Sequence, residues 1–555
     1  MTTTTRHSRD EDEDGGVATA TPTPLTSDSP ADTRTADITT AGIRTAGANT
    51  ADADTSDIRG PVRQLFLRLH FYVGLLVGPF LLVAAVSGFF YALAPTIEKV
   101  VYTDQLTAAS AAQNVPLPQQ IATARNAHPD LPVSRIVPGS DGATTRVLFG
   151  DGSLPSESHS RVVFVDPSDG AIRGDTVQYG SGQALPLRTW LSGVHRSLHL
   201  GEAGRLYSEL AASWLAPLAL AGLYLWWGRT RRARTSVLKS TPGLTGRARQ
   251  RSRHAVLGTW ALLGMLVLSA TGLTWSAHAG QRVSDLRTAM GWTTPTLSAH
   301  TPEPTRPGSP PDPAAEGHEG HGSHTGDHGT GTSAGTGAGA GVGVGASVGV
   351  GVGVGASVGV GVGAGADTDA AWTPDGARVA LAGASAAGLT EPVQLTPPAG
   401  DGGPWRVQEV RRSWTPGPDA VSIDAATGAV VQSIPFSSYP AAARLADWGI
   451  RFHMGFLFGL ANQLLLAAVA AAIVVVTIRG YAMWWMRRPT RTRGLARPPV
   501  RGAVLELLRR RPVGTLVGVT VVAAIGWAVP LLGISLAAFL VLDAIPGLAA
   551  RRARG

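Results

Sequence analysis

Long apolar runs alternate with polar segments along this chain of 555 residues. Four runs are about 20 residues or longer, the length that an α-helix needs to cross about 30 Å of hydrocarbon. A fifth run, 513–545, is too long for one span without strong tilt, and Pro530 near its middle predicts a hairpin of two short spans. The four single runs are 70–94, 206–227, 255–277 and 456–478. The pattern predicts an integral membrane protein, mainly α-helical, with about six transmembrane helices.

Arginines cluster in polar segments on one side of the predicted spans, mainly in 229–254 and 487–512. Because basic segments stay cytoplasmic, we expect a multi-pass protein of the plasma membrane with cytoplasmic N- and C-termini. The tail 1–58 is polar and carries an acidic run, without the apolar core of a signal peptide, so we expect a disordered cytoplasmic tail. The net charge of +8 therefore indicates orientation in the membrane, and we expect membrane lipid and no nucleic acid as a partner.

The segments on the other side of the membrane have a mixed pattern. The first has a helix-like run from Gln119 to His128, strand-like runs at 145–149 and 161–165, and a hairpin turn at Asp166-Pro-Ser-Asp-Gly170. The second has strand-like runs around 405–411 and 419–423 and a turn at Asp424-Ala-Ala-Thr-Gly428. Each segment therefore predicts a small outer α+β domain. A Gly-rich tract between them contains GxGxxG matches, but these follow no strand and open no helix, so they predict no dinucleotide site.

The chain contains this plan twice. Adding 258 to Asp166, Gly170, Trp190, His195, Gly201 and Trp226-Trp227 gives Asp424, Gly428, Trp448, His453, Gly459 and Trp484-Trp485. Adding 184 to His70, Gly74 and Gly88 gives His254, Gly258 and Gly272. The two offsets differ by 258 − 184 = 74, and an insertion at about 300–366 accounts for most of that difference. The repeated unit is a helix, an outer α+β domain and a second helix.

These patterns divide the chain into twelve segments. They are a tail 1–58, a first span 59–94, an outer domain 95–205, a second span 206–228, a basic loop 229–254, a third span 255–277, a flexible outer insertion 278–370, a second outer domain 371–455, a fourth span 456–486, a basic loop 487–512, a helical hairpin 513–548 and a cytoplasmic tail 549–555.

The repeated motifs resemble those of the PepSY-associated transmembrane family, also called PiuB-like iron-regulated membrane proteins. The resemblance covers roughly 60–548. It depends on Leu69-His70-Phe-Tyr-Val-Gly74, Trp190-x4-His195, His199-Leu-Gly201, Arg253-His254-x3-Gly258 and Phe452-His453-Met-Gly455. It implies a polytopic protein with outward PepSY domains, and some members are haem-containing ferric-siderophore reductases.

Four histidines occupy repeat positions: His70, His195, His254 and His453. Each could serve only to form hydrogen bonds at the membrane interface. As a set they form an inner pair, His70 and His254, and an outer pair, His195 and His453. Two imidazoles at one depth can hold a b-type haem iron from both faces, and with the resemblance we expect haem, in one or two copies. His199 is a substitute ligand, and His278 is a further candidate without a repeat partner.

The expected height of His195 above the membrane argues against the outer pair as haem ligands. If the chain were helical from His195 to Trp226, His195 would lie about 46 Å from the inner end, above the hydrocarbon. The hydroxyl and amide side chains within the spans are expected to be helix-packing groups: Ser87, Ser269, Thr271, Asn462 and Gln463.

A second group of histidines lies in the insertion: His318, His321, His324 and His328. Their spacing suits Zn, Cu or Ni, and a Gly-rich setting predicts weak, reversible binding because ordering the loop costs entropy. The chain has no cysteine, which excludes disulfides, iron–sulfur clusters and Cys-attached haem.

Three functions remain open. The first is a haem-bearing electron carrier that reduces an external acceptor such as a ferric siderophore. The chain has no credible flavin or nicotinamide domain, so flavin or NAD(P)H could act only through a separate cytoplasmic electron donor. The second is a non-enzymatic protein whose outer domains bind or restrain a peptide or protease. The third is metal capture by the insertion.

Overall fold

The structure is a computed structural model that describes residues 60–111, 113–298, 372–398, 403–487 and 512–552. The predicted N-terminal tail, the His-rich cluster and most of the second basic loop lie outside these residues. The helices that precede the first strand are α1 Pro61–Leu76, α2 Gly78–Val101, α3 Thr103–Leu106 and α4 Leu117–Ala127. Those in the middle of the chain are α5 Pro186–Ser197, α6 Gly201–Ala233, α7 Gly246–Trp260, α8 Leu262–Leu273, α9 His278–Ala289 and α10 Pro374–Ala386. The last are α11 Ala441–His453, α12 Gly459–Trp485, α13 Pro512–Ala528 and α14 Pro530–Arg552.

Three of the described helices are long and apolar enough to cross a membrane: α2, α6 and α12. The pair α7 and α8 makes a fourth candidate span if its two helices, bent by 58°, count as one. The described residues therefore support three or four spans and not the predicted six. Helix α13 and the Pro530–Leu542 part of α14 are apolar but shorter.

The first predicted span, 59–94, is divided in two. Helix α1 ends at Leu76, and α2 runs on to Val101, beyond the predicted boundary. Proline lacks an N–H group, so Pro79 cannot donate to the carbonyl of Leu75 four residues earlier. The Tyr481 hydroxyl of α12 donates to that carbonyl instead, at 2.7 Å. The break is thus stabilised by the partner helix of the other repeat.

The third predicted span, 255–277, is also divided, between α7 and α8 at Ala261. Adding 184 to Val77, the residue between α1 and α2, gives Ala261. The two breaks therefore occupy equivalent positions, and each separates a histidine-bearing helix from a following apolar helix.

The turn between α5 and α6 removes the distance problem of His195. Leu198 and His199 both adopt left-handed conformations, with φ of 52° and 56°, so the chain is not helical throughout. Helix α5 packs against α2 and brings His195 to Ser87, the tenth residue of that candidate span. The estimate of about 46 Å assumed one continuous helix, and the structure contradicts that assumption.

The two predicted outer domains form one antiparallel sheet in the order β4-β3-β2-β1-β5-β6-β7-β8. Its first four strands are β1 Val133–Val137, β2 Thr145–Phe149, β3 His159–Val165 and β4 Ile172–Tyr179. The other four are β5 Val393–Thr396, β6 Trp405–Glu409, β7 Ala420–Ile423 and β8 Val430–Ile434. Strands β1 and β5 join the halves, with Ile136 opposite Leu395. The two predicted α+β units therefore share one continuous sheet.

A shared core explains why the halves join. Ile121 of α4, Ala380 of α10, Ile136 and Leu395 are each fully buried in one apolar cluster. Pairing β1 with β5 also removes two exposed strand edges, whose unpaired N–H and C=O groups favour aggregation. The opposite face of the first half packs on Leu185 and the residues after α2. One face of the sheet therefore packs on α4 and α10, and the other face of its first half packs on Tyr102, Leu106 and Leu185.

The two predicted hairpin turns are present. Gly170 and Gly428 both have φ of 72°, a conformation that glycine adopts without strain. The N–H of each donates to the carbonyl of the aspartate four residues earlier, Asp166 or Asp424, at 2.8 Å. The repeat is therefore preserved in backbone detail.

Candidate functional site

The inner histidine pair lies where α1 and α7 approach each other. The ring centres of His70 and His254 are 6.1 Å apart, with an angle of 87° between the ring planes. For a metal–nitrogen distance of about 2 Å and about 1 Å from that nitrogen to the ring centre, two imidazoles on opposite sides of one metal have centres about 6 Å apart. The separation therefore fits one metal ion held between two rings.

Each inner histidine uses one ring nitrogen to contact a neighbouring helix. His70 Nδ1 lies 3.1 Å from the carbonyl oxygen of Leu218 on α6, and His254 Nδ1 lies 2.9 Å from that of Val476 on α12. A carbonyl only accepts hydrogen bonds, so both Nδ1 atoms carry the proton. The Nε2 lone pair of each ring is then available for a metal, since the second ring nitrogen commonly sets the tautomer of a ligating histidine.

In the outer pair, Nδ1 of each histidine contacts a side-chain hydroxyl group instead of a backbone carbonyl. The ring centres of His195 and His453 are 6.4 Å apart, and their planes form an angle of 55°. His195 Nδ1 lies 3.0 Å from Ser87 Oγ, and His453 Nδ1 lies 2.7 Å from Thr271 Oγ1.

The tautomer of the outer pair follows from the hydroxyl groups. The Ser87 hydroxyl donates to the Val83 carbonyl at 2.8 Å, and the Thr271 hydroxyl donates to that of Val267 at 2.7 Å. A hydroxyl has one proton, so each accepts from the histidine Nδ1–H. The Nε2 atoms of the outer pair are therefore available as well.

A helix glycine lies beside each of the four rings. A Cβ at Gly222 would lie 2.9 Å from Cε1 of His70, and a Cβ at Gly88 would lie 3.1 Å from Cε1 of His195. The corresponding distances are 3.8 Å between Gly480 and His254, and 3.7 Å between Gly272 and His453. Side chains at Gly222 and Gly88 would therefore crowd His70 and His195, whereas a methyl group at Gly480 or Gly272 would make an ordinary van der Waals contact.

The residues that contact the histidines in one repeat are related to those in the other repeat by the same two sequence offsets. Leu218 and Gly222 become Val476 and Gly480 on adding 258, and Ser87 becomes Thr271 on adding 184. The helix-packing interpretation of Ser87 and Thr271 was therefore incomplete, because each also contacts an outer histidine. Searching the repeat for equal residue types would have found Gly222 and Gly480. It could not have found Leu218 and Val476, which act through backbone carbonyls.

Aromatic side chains also flank the outer pair at equivalent positions. Tyr91 stacks on His195 with ring centres 6.2 Å apart and an angle of 8°. Trp275, which is Tyr91 plus 184, meets His453 edge-on at 5.2 Å. Both lie one turn beyond the hydroxyl residue that holds the histidine. They place a large aromatic ring against each histidine of the outer pair.

The α6 residues next to each histidine pair give the distance between the two pairs along that helix. His70 contacts α6 at Leu218 and Gly222, whereas Ala212 of α6 lies 3.7 Å from a Cβ at Gly272, the glycine beside His453. Six to ten residues separate these levels, which corresponds to roughly 9–15 Å along a helix. The two pairs are therefore stacked along the candidate spans.

The substitute ligand His199 and the further candidate His278 make other contacts. His199 is exposed in the turn after α5, and its Nε2 donates to the Trp190 carbonyl of α5 at 3.0 Å. His278 begins α9, where its backbone N–H donates to the buried Glu209 carboxylate at 3.0 Å and its Nδ1 lies 3.4 Å from the same oxygen. Neither side chain belongs to the histidine pairs.

The described residues contain no group of three or more His, Cys, Asp or Glu side chains that could hold a metal ion. The predicted cluster from His318 to His328 lies outside these residues. A porphyrin supplies four nitrogen ligands itself, so a haem iron needs only the two that each histidine pair offers. The residues present therefore fit haem better than a bare ion. Their role as ligands stays a prediction.

The comparisons with known proteins identify the family. The model of the PepSY-associated TM region matches residues 67–487, which is more than half of the chain and includes all four paired histidines. No curated protein matches the sequence. The apolar helices, the duplicated histidine-bearing unit and this match show that the chain is a membrane protein of the PepSY-associated TM family.

Proposed function

We propose that this protein is a haem-binding transmembrane electron carrier. His70 and His254 would hold one haem iron, and His195 and His453 a second. Bound haem would supply reversible one-electron chemistry. The single observation that carries the proposal is that Nδ1 of all four rings lies within hydrogen-bond distance of a protein carbonyl or hydroxyl oxygen, in two pairs with ring centres 6.1 and 6.4 Å apart.

The protein groups around each pair have separate tasks. The carbonyls of Leu218 and Val476 and the hydroxyls of Ser87 and Thr271 fix the tautomer and orientation of the rings. Such partners also raise the basicity of a ligating imidazole. Tyr91 and Trp275 restrict water at the outer pair, and a drier site favours the less charged state of a redox centre.

The electrons would come from a separate donor at the inner side, and flavin or NAD(P)H would act only through that donor. An external acceptor such as a ferric siderophore would take them one at a time. Each transfer oxidises the donor by one electron and reduces one ferric ion to ferrous. In the membrane, we place the basic segments and both termini at the inner face of the plasma membrane.

An absorption spectrum tests the proposal. Full-length protein made with ample haem and purified in detergent is expected to show Soret and α bands of low-spin b-type haem that dithionite reduces. His254→Ala should remove the inner part of the spectrum and His453→Ala the outer part. His199→Ala is the matched control, and it should leave both parts unchanged because its Nε2 is already hydrogen-bonded.

Two results would contradict the proposal. A colourless wild-type protein would exclude haem and would leave the sheet domain, with its two terminal strands, as the part to be tested for peptide binding. Full spectra in both His254→Ala and His453→Ala would exclude these residues as ligands. Thermal melting of each variant would show that the variant is folded.

A further inference from the structure

A polar cavity lies in the basic segment between α6 and α7. Its volume is about 250 Å³. The loop Ser240-Thr-Pro-Gly-Leu244 forms one wall, and Arg249, Ser252 and Arg253 of α7 form the other. Arg249 and Arg253 are four residues apart on one helix and therefore lie on the same face. The cavity thus presents two guanidinium groups and several hydroxyls to one space.

A buried hydrogen bond holds the two walls of this cavity together. Ser252 is 2% exposed, and its Oγ accepts a hydrogen bond from the Thr241 backbone N–H at 3.1 Å. This bond fixes the loop against α7. No side chain caps the first turn of α7 at Thr245, so its N–H groups add partial positive charge beside the cavity. Guanidinium forks, hydroxyls and a helix N-terminus together favour a phosphate group.

The depth of the cavity indicates the source of the phosphate. Two indoles hold the same loop: Trp226 Nε1 donates to the Val237 carbonyl at 3.0 Å, and Trp260 Nε1 donates to that of Leu238 at 3.1 Å. Trp260 is 67% exposed and Leu238 is 48% exposed, an apolar surface next to a basic cavity. Indoles prefer the headgroup layer of a bilayer. In the membrane arrangement proposed above, this preference puts the cavity at the level of lipid phosphates.

We propose that this cavity binds the phosphodiester headgroup of an anionic phospholipid. Arg249 and Arg253 would contact the phosphate oxygens, and the hydroxyls of Ser240 and Ser252 would complete the donor set. The acyl chains would extend along the exposed faces of Trp260 and Leu238. Basic pockets between transmembrane helices hold lipid headgroups in this way. The proposal does not depend on haem, because none of these groups contacts a histidine ring nitrogen.

Lipid retention by the purified full-length protein tests the site. Native mass spectrometry would count phosphatidylglycerol bound after exchange from mixed phosphatidylglycerol and phosphatidylcholine nanodiscs. Arg249→Gln and Arg253→Gln are each expected to weaken phosphatidylglycerol binding about tenfold, since each removes charged hydrogen bonds. Arg234→Gln is the control, because it removes the same charge from the same basic segment but does not line the cavity.

Three outcomes would overturn the proposal. Equal losses in all three variants would show diffuse charge attraction and no site. Unchanged retention in Arg249→Gln and Arg253→Gln would show that the cavity holds no lipid. Inorganic phosphate that displaces phosphatidylglycerol at millimolar concentration would assign the cavity to a free phosphate instead. Melting curves of the variants would separate loss of binding from loss of folding.

Discussion

Glycines in the helices determine how closely the paired histidines approach the neighbouring backbones. In an α-helix, the side chain at position i+4 covers the carbonyl of residue i from one side. Gly222 follows Leu218 by four residues, and Gly480 follows Val476 by the same distance. A Cβ at Gly222 would lie 2.9 Å from the His70 ring, whereas one at Gly480 would lie 3.8 Å from the His254 ring, so the absence of a side chain matters most at Gly222. A small residue here therefore controls the tautomer of a ring that is remote in sequence.

Gly222→Ala is expected to disturb the inner pair alone. The new methyl group would lie 2.9 Å from Cε1 of His70, so the ring must move away from the Leu218 carbonyl. We expect about tenfold weaker haem affinity at the inner site, as is typical when a partner of a ligating histidine is lost. Haem titration of the purified protein, followed by absorbance, measures this effect.

Gly228→Ala on the same helix is the matched control. A Cβ there has nothing within 4 Å, so this variant should keep its haem and gain up to about 1 kcal/mol from better helix propensity. Equal haem affinity in Gly222→Ala and wild-type protein would contradict the assigned role of the glycine.

The sequence allowed the histidines to be grouped but not their partners to be identified. The offsets 184 and 258 related His70 to His254 and His195 to His453, because duplication preserves residue type. The partners of His70 and His254 are main-chain carbonyls, which every residue has, so no residue type marks them. Ser87 and Thr271 differ in type, although their hydroxyls act alike, and a comparison by identity passes over them.

Among the larger elements, the β3–β4 hairpin depends on one buried carboxylate. Asp166 is fully buried and accepts hydrogen bonds from the backbone N–H of Ala109 at 3.0 Å and of Ser168 at 2.9 Å. It also pairs with Arg173 at 2.7 Å. Burial alone would raise the pKa of this carboxyl, but the hydrogen bonds from Ala109, Ser168 and Arg173 outweigh it and hold the pKa well below its usual range.

Asp166→Asn is expected to lower the melting temperature in a pH-dependent way. The native carboxylate has a lower pKa than the unfolded one, which is about 3.9. Its stabilising contribution is therefore fully present above that value and is lost as the pH falls toward the native pKa. We expect a deficit of roughly 1–3 kcal/mol at pH 7 that shrinks below about pH 4.

Tryptophan fluorescence of the full chain during heating measures this stability. Asp130→Asn is the control, because Asp130 is exposed in a turn, and it should change little at either pH. A deficit in Asp166→Asn that stays constant from pH 7 to pH 3 would show that the carboxylate charge is not responsible.

The sheet shows how far pattern alone predicts an element. The run 145–149 was predicted as a strand, and β2 spans Thr145–Phe149. Strands β1, β4, β5 and β8 were not predicted: β1 lacks clear alternation, β5 alternates but has only four residues, and β4 and β8 are exposed or half-buried over most of their length. The contact between β1 and β5 could not be predicted, because alternation indicates which face is buried but not which strand lies alongside.

Across the whole molecule, each histidine pair takes one ring from each repeat. His70 and His195 belong to the first unit, and His254 and His453 to the second. The two units also share one sheet and one sheet core. Neither repeat therefore contains a complete site, and the relative placement of the units sets the ring separations.

Single cysteines test the proposed membrane arrangement, because the natural chain has none. Gly152→Cys lies in the sheet domain with nothing within 4 Å of its Cβ, and Thr235→Cys is exposed in the basic segment after α6. A membrane-impermeant maleimide should label Gly152→Cys in intact cells and Thr235→Cys only after permeabilisation.

The pattern of labelling also tests α6 as a span. If both cysteines react in intact cells, α6 does not separate two sides of the membrane. If only Thr235→Cys reacts, the orientation is the reverse of the one proposed. The cysteine-free wild-type chain is the control for background labelling.

The junction between β1 and β5 has a consequence for synthesis on the ribosome. Ile136 and its partner Leu395 are 395 − 136 = 259 residues apart. At 5–20 residues per second, β5 is made roughly 13–50 s after β1. During that time the first half-sheet has an open edge, which is prone to pair with another nascent chain. The protein is therefore most vulnerable to aggregation before its second repeat exists, and a chain truncated after α6 should be degraded or insoluble.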